Sequence, residues 1–437
     1  MSSETLGDRD GSRALLTGPV RWIAGSPVRA FLAIFLVGFV LRLWMFSFVP
    51  KDLVPPNPKW ETGAVAISLA QTGRFADPYL IPTGPTAHMQ PLQVGAASLL
   101  YRVLGVGYAG GLVRWILVLA VCSLLWASLP WLGGRLGIRR AAGVVGGMAG
   151  ALAVGFPSEV EPVSALALFA LVALFAARWR RSATSLGRSL LLGLAAGVVF
   201  HLQPVLLPVV LGCVAFELWW SREPRKVGFA GMLLLGMLLA CLPWGWRNYQ
   251  TFHEVFFIRG NLGLELYVGN HPGAHADIDL SSARRSFRHP RTDLAEAERV
   301  LEIGEAAYMR EKQHEALAWI GDNPGEFLRL TATRVLYFWL GPLHEPVRAF
   351  GYAVLFLLSV VGAWRVLPNL RAPERAALLI PLATYPLVYY VVAYMPRYGE
   401  PVRWILFLLA GGAVWGWIGG ASRSPGVSAG RAEASSR

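Results

Sequence analysis

The sequence predicts an all-α integral membrane protein: a polytopic bundle of about ten transmembrane helices, with interfacial helices and an outer helical insertion. Of its 437 residues, 54% are hydrophobic and only 15% are charged, against about 25% in a soluble domain. The apolar residues gather into long runs, most of them near the roughly 17–25 residues that cross a bilayer. The net charge of +13, from 40 basic and 27 acidic residues, sits in short clusters between those runs.

Spans are expected near 28–49, 112–131, 142–157, 161–179, 187–201, 204–220, 228–243, 347–365, 376–394 and 402–420. The first follows a polar tail with Arg9, Arg13 and Arg21. It exceeds the apolar core of a cleaved signal, about 7–15 residues, and reads as a retained signal anchor. The runs at 142–157 and 187–201 are short, so their ends are loosely defined. The three cysteines, Cys122, Cys213 and Cys241, lie inside apolar runs, a placement that fits neither a disulfide framework nor a metal site.

The basic clusters set the orientation. Arg135, Arg139 and Arg140 form one; Arg178, Arg180, Arg181 and Arg188 a second; Arg222, Arg225 and Lys226 a third. They alternate with turns free of Lys and Arg, at 157–161 and 202–203. Basic loops stay in the cytoplasm. Both termini then lie inside, which an even span count matches, and nucleic acid is excluded as the reason for the basic balance. The expected location is the cell inner (plasma) membrane, multi-pass. The chain divides into a cytoplasmic tail (1–27), a transmembrane bundle (28–243) with a first outer loop (50–111), an extracytoplasmic insertion (244–346), C-terminal spans (347–420) and a disordered tail (421–437).

Several outer helices are legible. The runs 91–104 and 324–340 are apolar but carry arginines, including Arg329 and Arg334, and fit helices lying in the interface. Asn57-Pro58 and Asn323-Pro324 each supply a cap and an N1 proline. The first of these helices is expected to stop near Gly73. Asp293 with Glu296 makes a box-like start, followed by Leu294, Val300, Leu301, Tyr308, Leu317 and Ile320 at near-helical spacing. No soluble β-pattern, Walker, Rossmann or zinc-ligand motif occurs.

Nearly all candidate chemistry falls in the outer segments. The first block runs Trp60-Glu61-Thr62-Gly63, then Gly73-Arg74-Phe75, Asp77-Pro78-Tyr79, and Pro82 through His88 to Pro91. Next come Pro243-Trp244 with Arg247-Asn248-Tyr249, and Arg259-Gly260-Asn261 leading to Glu265 and Gly269-Asn270. His289-Pro290, Glu296, Gly304-Glu305 and Asn323-Pro324 follow in order, then Arg397-Tyr398 and Pro401 before the final span. In order, spacing and common side of the membrane, these blocks resemble bacterial membrane glycosyltransferases of the GT-C superfamily, the group similar to protein O-mannosyltransferases and lipid A aminoarabinose transferases. The resemblance covers about residues 28–420.

The resemblance implies an activity. Such an enzyme transfers a sugar from a polyprenyl-phosphate donor to an envelope acceptor (protein, lipid or glycan) on the outer face, by an inverting displacement. The expected partners are that donor, the acceptor and membrane lipids. A carboxylate takes the acceptor proton, and cations stabilise the phosphate that leaves. No nucleotide pocket and no covalent intermediate is needed. Glu61 takes the place of the base, where the family often has Asp. The same position also suits a macrodipole partner at a helix start. Glu161, with Glu159 beside it, takes the place of the family's second acid, which orients the acceptor or holds a metal.

Arg247, Arg259 and Arg397 are candidate phosphate ligands by virtue of the guanidinium fork; snorkelling at a span end is the competing role. Asn248, Tyr398 and His88 are candidates for donor or substrate contact, and Arg403 faces the same side. His201, beside Gln203 and Pro204, departs from the Arg or Asn that the family often has next to such a proline. Arg42, inside the first span, is costly unless functional or snorkelling. Glu265 and Asn270 fit loop organisation better than substrate contact. The Asp277–Asp279 pair leaves a divalent metal (Mg or Mn) open as cofactor, at a spacing common by chance. Two other readings compete: a transporter or flippase of lipid-linked sugars, for which the prolines at 204, 381 and 386 speak, and an inactive assembly protein. No inverted repeat supports the first, and intact acids weigh against the second.

Overall fold

The computed structural model describes residues 17–50, 60–153, 160–181, 185–222 and 224–419. The chain is helical throughout these parts; extended pairing is limited to two isolated bridges, Ala76 with Pro85 and Asp277 with Tyr394. A helix over 17–24 (α1) precedes the first long helix, α2 (Pro27–Phe46). Then come α3 (Glu61–Thr72), α4 (Pro91–Leu104), α5 (Tyr108–Arg135), α6 (Arg140–Leu152), α7 (Glu161–Trp179), α8 (Leu186–Leu202), α9 (Leu207–Trp220) and α10 (Lys226–Phe252). The insertion holds α11 (Leu262–Gly269), α12 (Ile278–Ala283), α13 (Leu294–Ile303), α14 (Glu305–Asp322) and α15 (Pro324–Leu340). The chain closes with α16 (Pro346–Val366), α17 (Ala372–Thr384), α18 (Leu387–Val391) and α19 (Glu400–Ile418).

Among the described residues, six helices are long and apolar enough to cross a membrane: those beginning at Pro27, Tyr108, Glu161, Lys226, Pro346 and Pro396. Burial grades across them. The apolar windows of α7 and α19 are 61% and 67% buried, those of α2 and α16 only 22% and 11%. The outer faces of the latter carry Val28, Leu32, Leu36, Val347, Phe350 and Leu357, all exposed. An apolar girdle of this extent around a packed core is what a lipid-facing bundle presents.

Close helix contact rests on small residues, as in other membrane bundles. Gly193 and Gly197 on α8 bring that helix against the backbone of α10 at Leu233 and Met237, where an added Cβ would collide. Gly146 on α6 does the same against Phe407 of α19. Arg42 does not snorkel. It is buried among α2, α5 and α6, donating to the carbonyls of Gly38 (3.1 Å), Ala151 (3.0 Å) and Gly150 (3.3 Å), the last two at the C-terminal end of α6. A helix C-terminus has unpaired carbonyls and partial negative charge, so Arg42 has a structural partner there.

The expected segments recur with physical adjustments. The interfacial runs 91–104 and 324–340 are helices with those bounds. The helix expected from Asp293 starts as anticipated, with Asp293 accepting from the backbone of Glu296. It does not run through, because Gly304 at φ 82° divides it into α13 and α14. The run 376–394 divides into α17 and α18 around Tyr385-Pro386. The helix ending near Gly73 starts at Glu61, and Asn57-Pro58, Glu159 and the tail 421–437 lie outside the described residues.

Arg334 is a larger departure. The amphipathic reading of 324–340 leaves it in an interface, yet its relative exposure is 0%. Its guanidinium donates to the carbonyl of Gly269, to Asn270 Oδ1 (3.2 Å) and to the carbonyl of Val391 (2.8 Å). It thus ties the C-terminal ends of α11 and α18 together. Asn270 completes the joint by donating to Leu266 and Val391.

Candidate active site

The expected site residues collect at one end of the bundle. Glu61 opens α3, Glu161 opens α7, His201 closes α8, Arg247 lies in the last turns of α10, and Arg397 precedes α19. The opposite helix ends carry Arg135, Arg139, Arg178, Lys226 and Arg365. One end therefore carries the candidate acids Glu61 and Glu161, and the other is mainly basic, with Glu217 and Glu374 paired to its arginines.

The first loop is folded onto this end by its own polar groups. Asp77, at φ 62°, accepts from Gly84 N (2.9 Å) and Ser68 (3.3 Å), closing a small excursion between Phe75 and Thr86. Arg247 braces its base: Nη1 donates to Thr86 O (2.8 Å) and Asn248 Oδ1 (3.0 Å), and Nη2 to Phe75 O (3.1 Å). The guanidinium also stacks on Phe75, Trp244 and Phe252. Asn248, fully buried, donates to the carbonyls of Phe256 and Ile258. This pair holds the loop. A free guanidinium fork is not what Arg247 presents.

Glu305, which sequence reasoning placed only in a motif block, anchors the same loop. It accepts from Thr86 Oγ1 (2.5 Å) and Ala87 N (2.7 Å). Burial pushes its carboxyl up to about 7 against those two hydrogen bonds and the charges of Arg247 and Arg259.

Around Glu61 the groups are imidazole, phenol and guanidinium. Its Oε1 lies 3.6 Å from Arg291 Nε and 3.9 Å from His289 Nε2, and its side chain is 15% exposed. Arg291 stacks on Trp60 at 4.6 Å. Burial, then the Arg291 charge, lowers His289 to about 4, so its contact with Glu61 involves a neutral ring and only Arg291 carries charge. His88 is likewise held well below the usual range, by burial first and then by Arg259, His289 and Arg291. Its Nδ1 lies 3.1 Å from Tyr79 Oη. Burial keeps the Tyr79 phenol protonated, well above its ordinary range, and a phenol hydroxyl can donate to or accept from that ring nitrogen.

Arg259 links this group to the second acid. Its Nε donates to His88 O (2.7 Å), and Nη2 lies 3.7 Å from Glu265 Oε1. The charge of Glu265 acts on His289 to one side and on Arg397 and Tyr398 to the other. Glu161 is buried, and its Oε1 stands 3.4 Å from Arg397 Nε, while Arg397 keeps 41% exposure. Tyr398 stacks on Tyr389 with centroids 4.5 Å apart. Glu61 and Glu161 thus stand at the two ends of a chain of polar groups through His289, His88, Arg259, Glu265 and Arg397, in which Glu265 acts on Arg397 through its charge and not by contact.

Besides Arg247 and Asn248, which hold the loop, two expected residues stand apart from that chain. His201 packs between α8 and α10, with Nε2 3.0 Å from Ala240 O. Arg403 donates to Pro396 O and stacks on Tyr352. Arg291, Tyr79, Thr86 and Glu305 complete the site and were not singled out from sequence. Tyr79, Thr86 and Glu305 stand in the motif blocks without an assigned role, and Arg291 lies two residues beyond His289 of another. No family model matches the chain, and neither curated proteins nor solved structures yield a match.

Proposed function

We propose that this chain is a membrane glycosyltransferase that moves a sugar from a polyprenyl-phosphate donor to an envelope acceptor on the outer face of the membrane. The bundle then crosses the bilayer about ten times, with the shorter helices α6, α8, α9 and α17–α18 counted as spans. Both termini are cytoplasmic, and the acid-bearing end faces outward in the inner membrane. The observation that carries the reading is the pairing of two carboxylates with three guanidinium groups at one membrane-proximal end: Glu61 with Arg291, Glu161 with Arg397, and Arg259 between them.

That arrangement suits a displacement at an anomeric carbon whose leaving group is a phosphate. Glu61 takes the acceptor proton as the acceptor oxygen or nitrogen bonds to the sugar. The bond from the sugar to the donor phosphate breaks, and its electrons remain on the phosphate. Arg259, Arg291 and Arg397 stabilise that anion by charge-assisted hydrogen bonds. Neutral His88, bonded to Tyr79 through Nδ1, is a hydrogen-bonding group suited to an ester or hydroxyl oxygen. Glu161 orients Arg397. Arg247 and Asn248 serve as positioning residues that hold the loop carrying His88. His201 has a role in packing α8 on α10. The seven-residue polar chain at one end also weighs against a transporter, whose sites lie at the membrane midplane.

The test is incubation of the purified protein with labelled polyprenyl-phosphate sugars and an envelope extract. Label moving from lipid to a water-soluble or protein fraction, dependent on the protein, supports the reading. Movement of intact lipid-linked sugar across vesicles without release of polyprenyl phosphate supports the flippase alternative instead.

A further inference from the structure

The segment from Gly269 to Asp279 crosses from α11 to α12 beside the chain that leaves α18. Ile278 N donates to Tyr394 O (3.0 Å), and Asp277 pairs with Tyr394 in an isolated bridge. Asp277 is fully buried there. Its two oxygens differ. Oδ1 accepts from Asp279 N (3.0 Å) and caps α12. Oδ2 is buried and has no hydrogen-bond partner among the described residues. A buried carboxylate oxygen left so is costly.

What faces Oδ2 is His344 Nε2, at 3.4 Å, outside hydrogen-bond geometry, with Glu345 Oε1 3.9 Å from the same nitrogen. One donor atom from each of Asp277, His344 and Glu345 falls within 4.8 Å of the others. Glu345 is oriented by Arg348, whose Nη1 lies 2.9 Å from Oε1 and 2.7 Å from Oε2. Asp279 is not part of the group. Its proximity in sequence is that of a cap, and the partners of Asp277 come from the start of α16 instead.

We propose that Asp277, His344 and Glu345 form a binding site for a first-row divalent cation, with Zn²⁺ as the ion that best suits them. One imidazole and two carboxylates are a mixed nitrogen and oxygen set, which favours zinc over magnesium. Three protein ligands leave a position for water or an anion. Binding here joins the α11–α12 segment to the start of α16, and so pins the insertion to the bundle. The site lies outside the polar chain from Glu61 to Glu161, and it stands or falls independently of sugar transfer.

The experiment uses the full chain, purified in detergent, stripped with chelator and dialysed. Zn²⁺ is titrated by calorimetry, and Co²⁺ is titrated by visible absorption as a probe of the ligand field. The wild type should take up one tight equivalent of each. His344→Ala removes a surface ligand and should weaken binding about tenfold or more, at least the cost of losing an outer-sphere partner, with an unchanged melting temperature in the absence of metal. His314→Ala, at an exposed histidine elsewhere on the insertion, should bind as the wild type does. Asp277→Asn should match His344→Ala in affinity. Failure of the wild type to bind either ion would overturn the site, as would a His344→Ala protein that binds as tightly as wild type.

Discussion

Oε1 of Glu161 stands 3.4 Å from Nε of Arg397, joining the first turn of α7 to the segment that enters α19. The two residues lie 236 positions apart in the chain, and both sit at the acid-bearing end. If Glu161 acts by orienting Arg397, removing either should disable the same function. Glu161→Gln and Arg397→Gln should each reduce turnover, and the double variant should be no slower than Arg397→Gln alone. Residues in contact routinely show such coupling, worth about 0.5–3 kcal/mol. Turnover that falls additively in the double variant would separate the two residues.

Arg247 makes a different prediction from that of a phosphate ligand. Two carbonyls, Thr86 O and Phe75 O, share its guanidinium with three aromatic rings. A lysine keeps the charge but cannot make both bonds and stack. Arg247→Lys should lose about 1.5–3 kcal/mol, the worth of a hydrogen bond to a charged group. It should also speed hydrogen exchange over residues 75–88. Arg222→Lys, at an exposed site on the basic end, should be silent. Unchanged exchange in the Arg247 variant, together with lost donor affinity, would return Arg247 to the phosphate.

Glu305 supplies a pH signature. Its folded-state value, about 7, lies above the ordinary glutamate value of 4.5. The folded protein therefore holds the proton more tightly than the unfolded chain. The associated stability is fully present below the unfolded value and is lost as pH rises through about 7. Glu305→Gln does not titrate there. The stability of Glu305→Gln relative to wild type should therefore rise between pH 4.5 and 8, by about 3 kcal/mol at roughly 1.36 kcal/mol per unit. Melting temperatures of both proteins at pH 5 and pH 8 measure it. A difference independent of pH would mean that Glu305 remains ionised in the fold.

Much of the fold follows from local pattern. The apolar runs near 28–49 and 161–179 are α2 and α7 with small shifts at the ends, and 91–104 and 324–340 are helices at the expected bounds. The breaks were not read as such: the expected helix from Asp293 and the expected span 376–394 run through Gly304 and Pro386, which divide them because one adopts a positive φ and the other lacks an amide hydrogen. What sequence could not reveal is which distant groups meet. Thr86 and Glu305 are 219 positions apart, as Arg247 and Thr86 are 161 apart. Nothing in either neighbourhood names the other. Arg334 looks like an interfacial arginine because its helix is amphipathic; only the arrival of the α11 and α18 carbonyls explains its burial. The site was legible as a set of residue types at one end, and not as a set of pairs.

Arg334 can be tested directly. Arg334→Met preserves much of the bulk but strands the carbonyl of Gly269 and Asn270 Oδ1, and leaves the carbonyl of Val391 to Asn270. The expected loss is about 3–5 kcal/mol, typical of breaking a buried charged contact by removing one partner. Thermal unfolding in detergent measures it, with Arg329→Met, an exposed neighbour paired to Glu326, as the near-neutral reference. Equal melting temperatures for the two variants would contradict the structural role.

Orientation has its own assay. The basic helix ends predict alkaline phosphatase activity when the reporter is fused after Asp77 or Arg288, and none after Arg140 or Lys226. Activity at Arg140 would move the acid-bearing end to the cytoplasm, where the proposed donor face would be on the wrong side.

The central claim is that Glu61 accepts the acceptor's proton. Glu61→Gln keeps the helix start and nearly the same shape beside His289 and Arg291, and removes only the proton acceptor. Turnover of labelled polyprenyl-phosphate sugar, per folded molecule, should fall about 10²–10⁴-fold, or roughly 3–5.5 kcal/mol in the barrier. Donor affinity should change little. A role confined to the helix macrodipole predicts only about 0.3–1 kcal/mol in stability and intact turnover. A well-expressed Glu61→Gln protein that retains more than about a tenth of wild-type turnover, short of the smallest loss a general base entails, would contradict the account and leave Glu161 as the remaining acid.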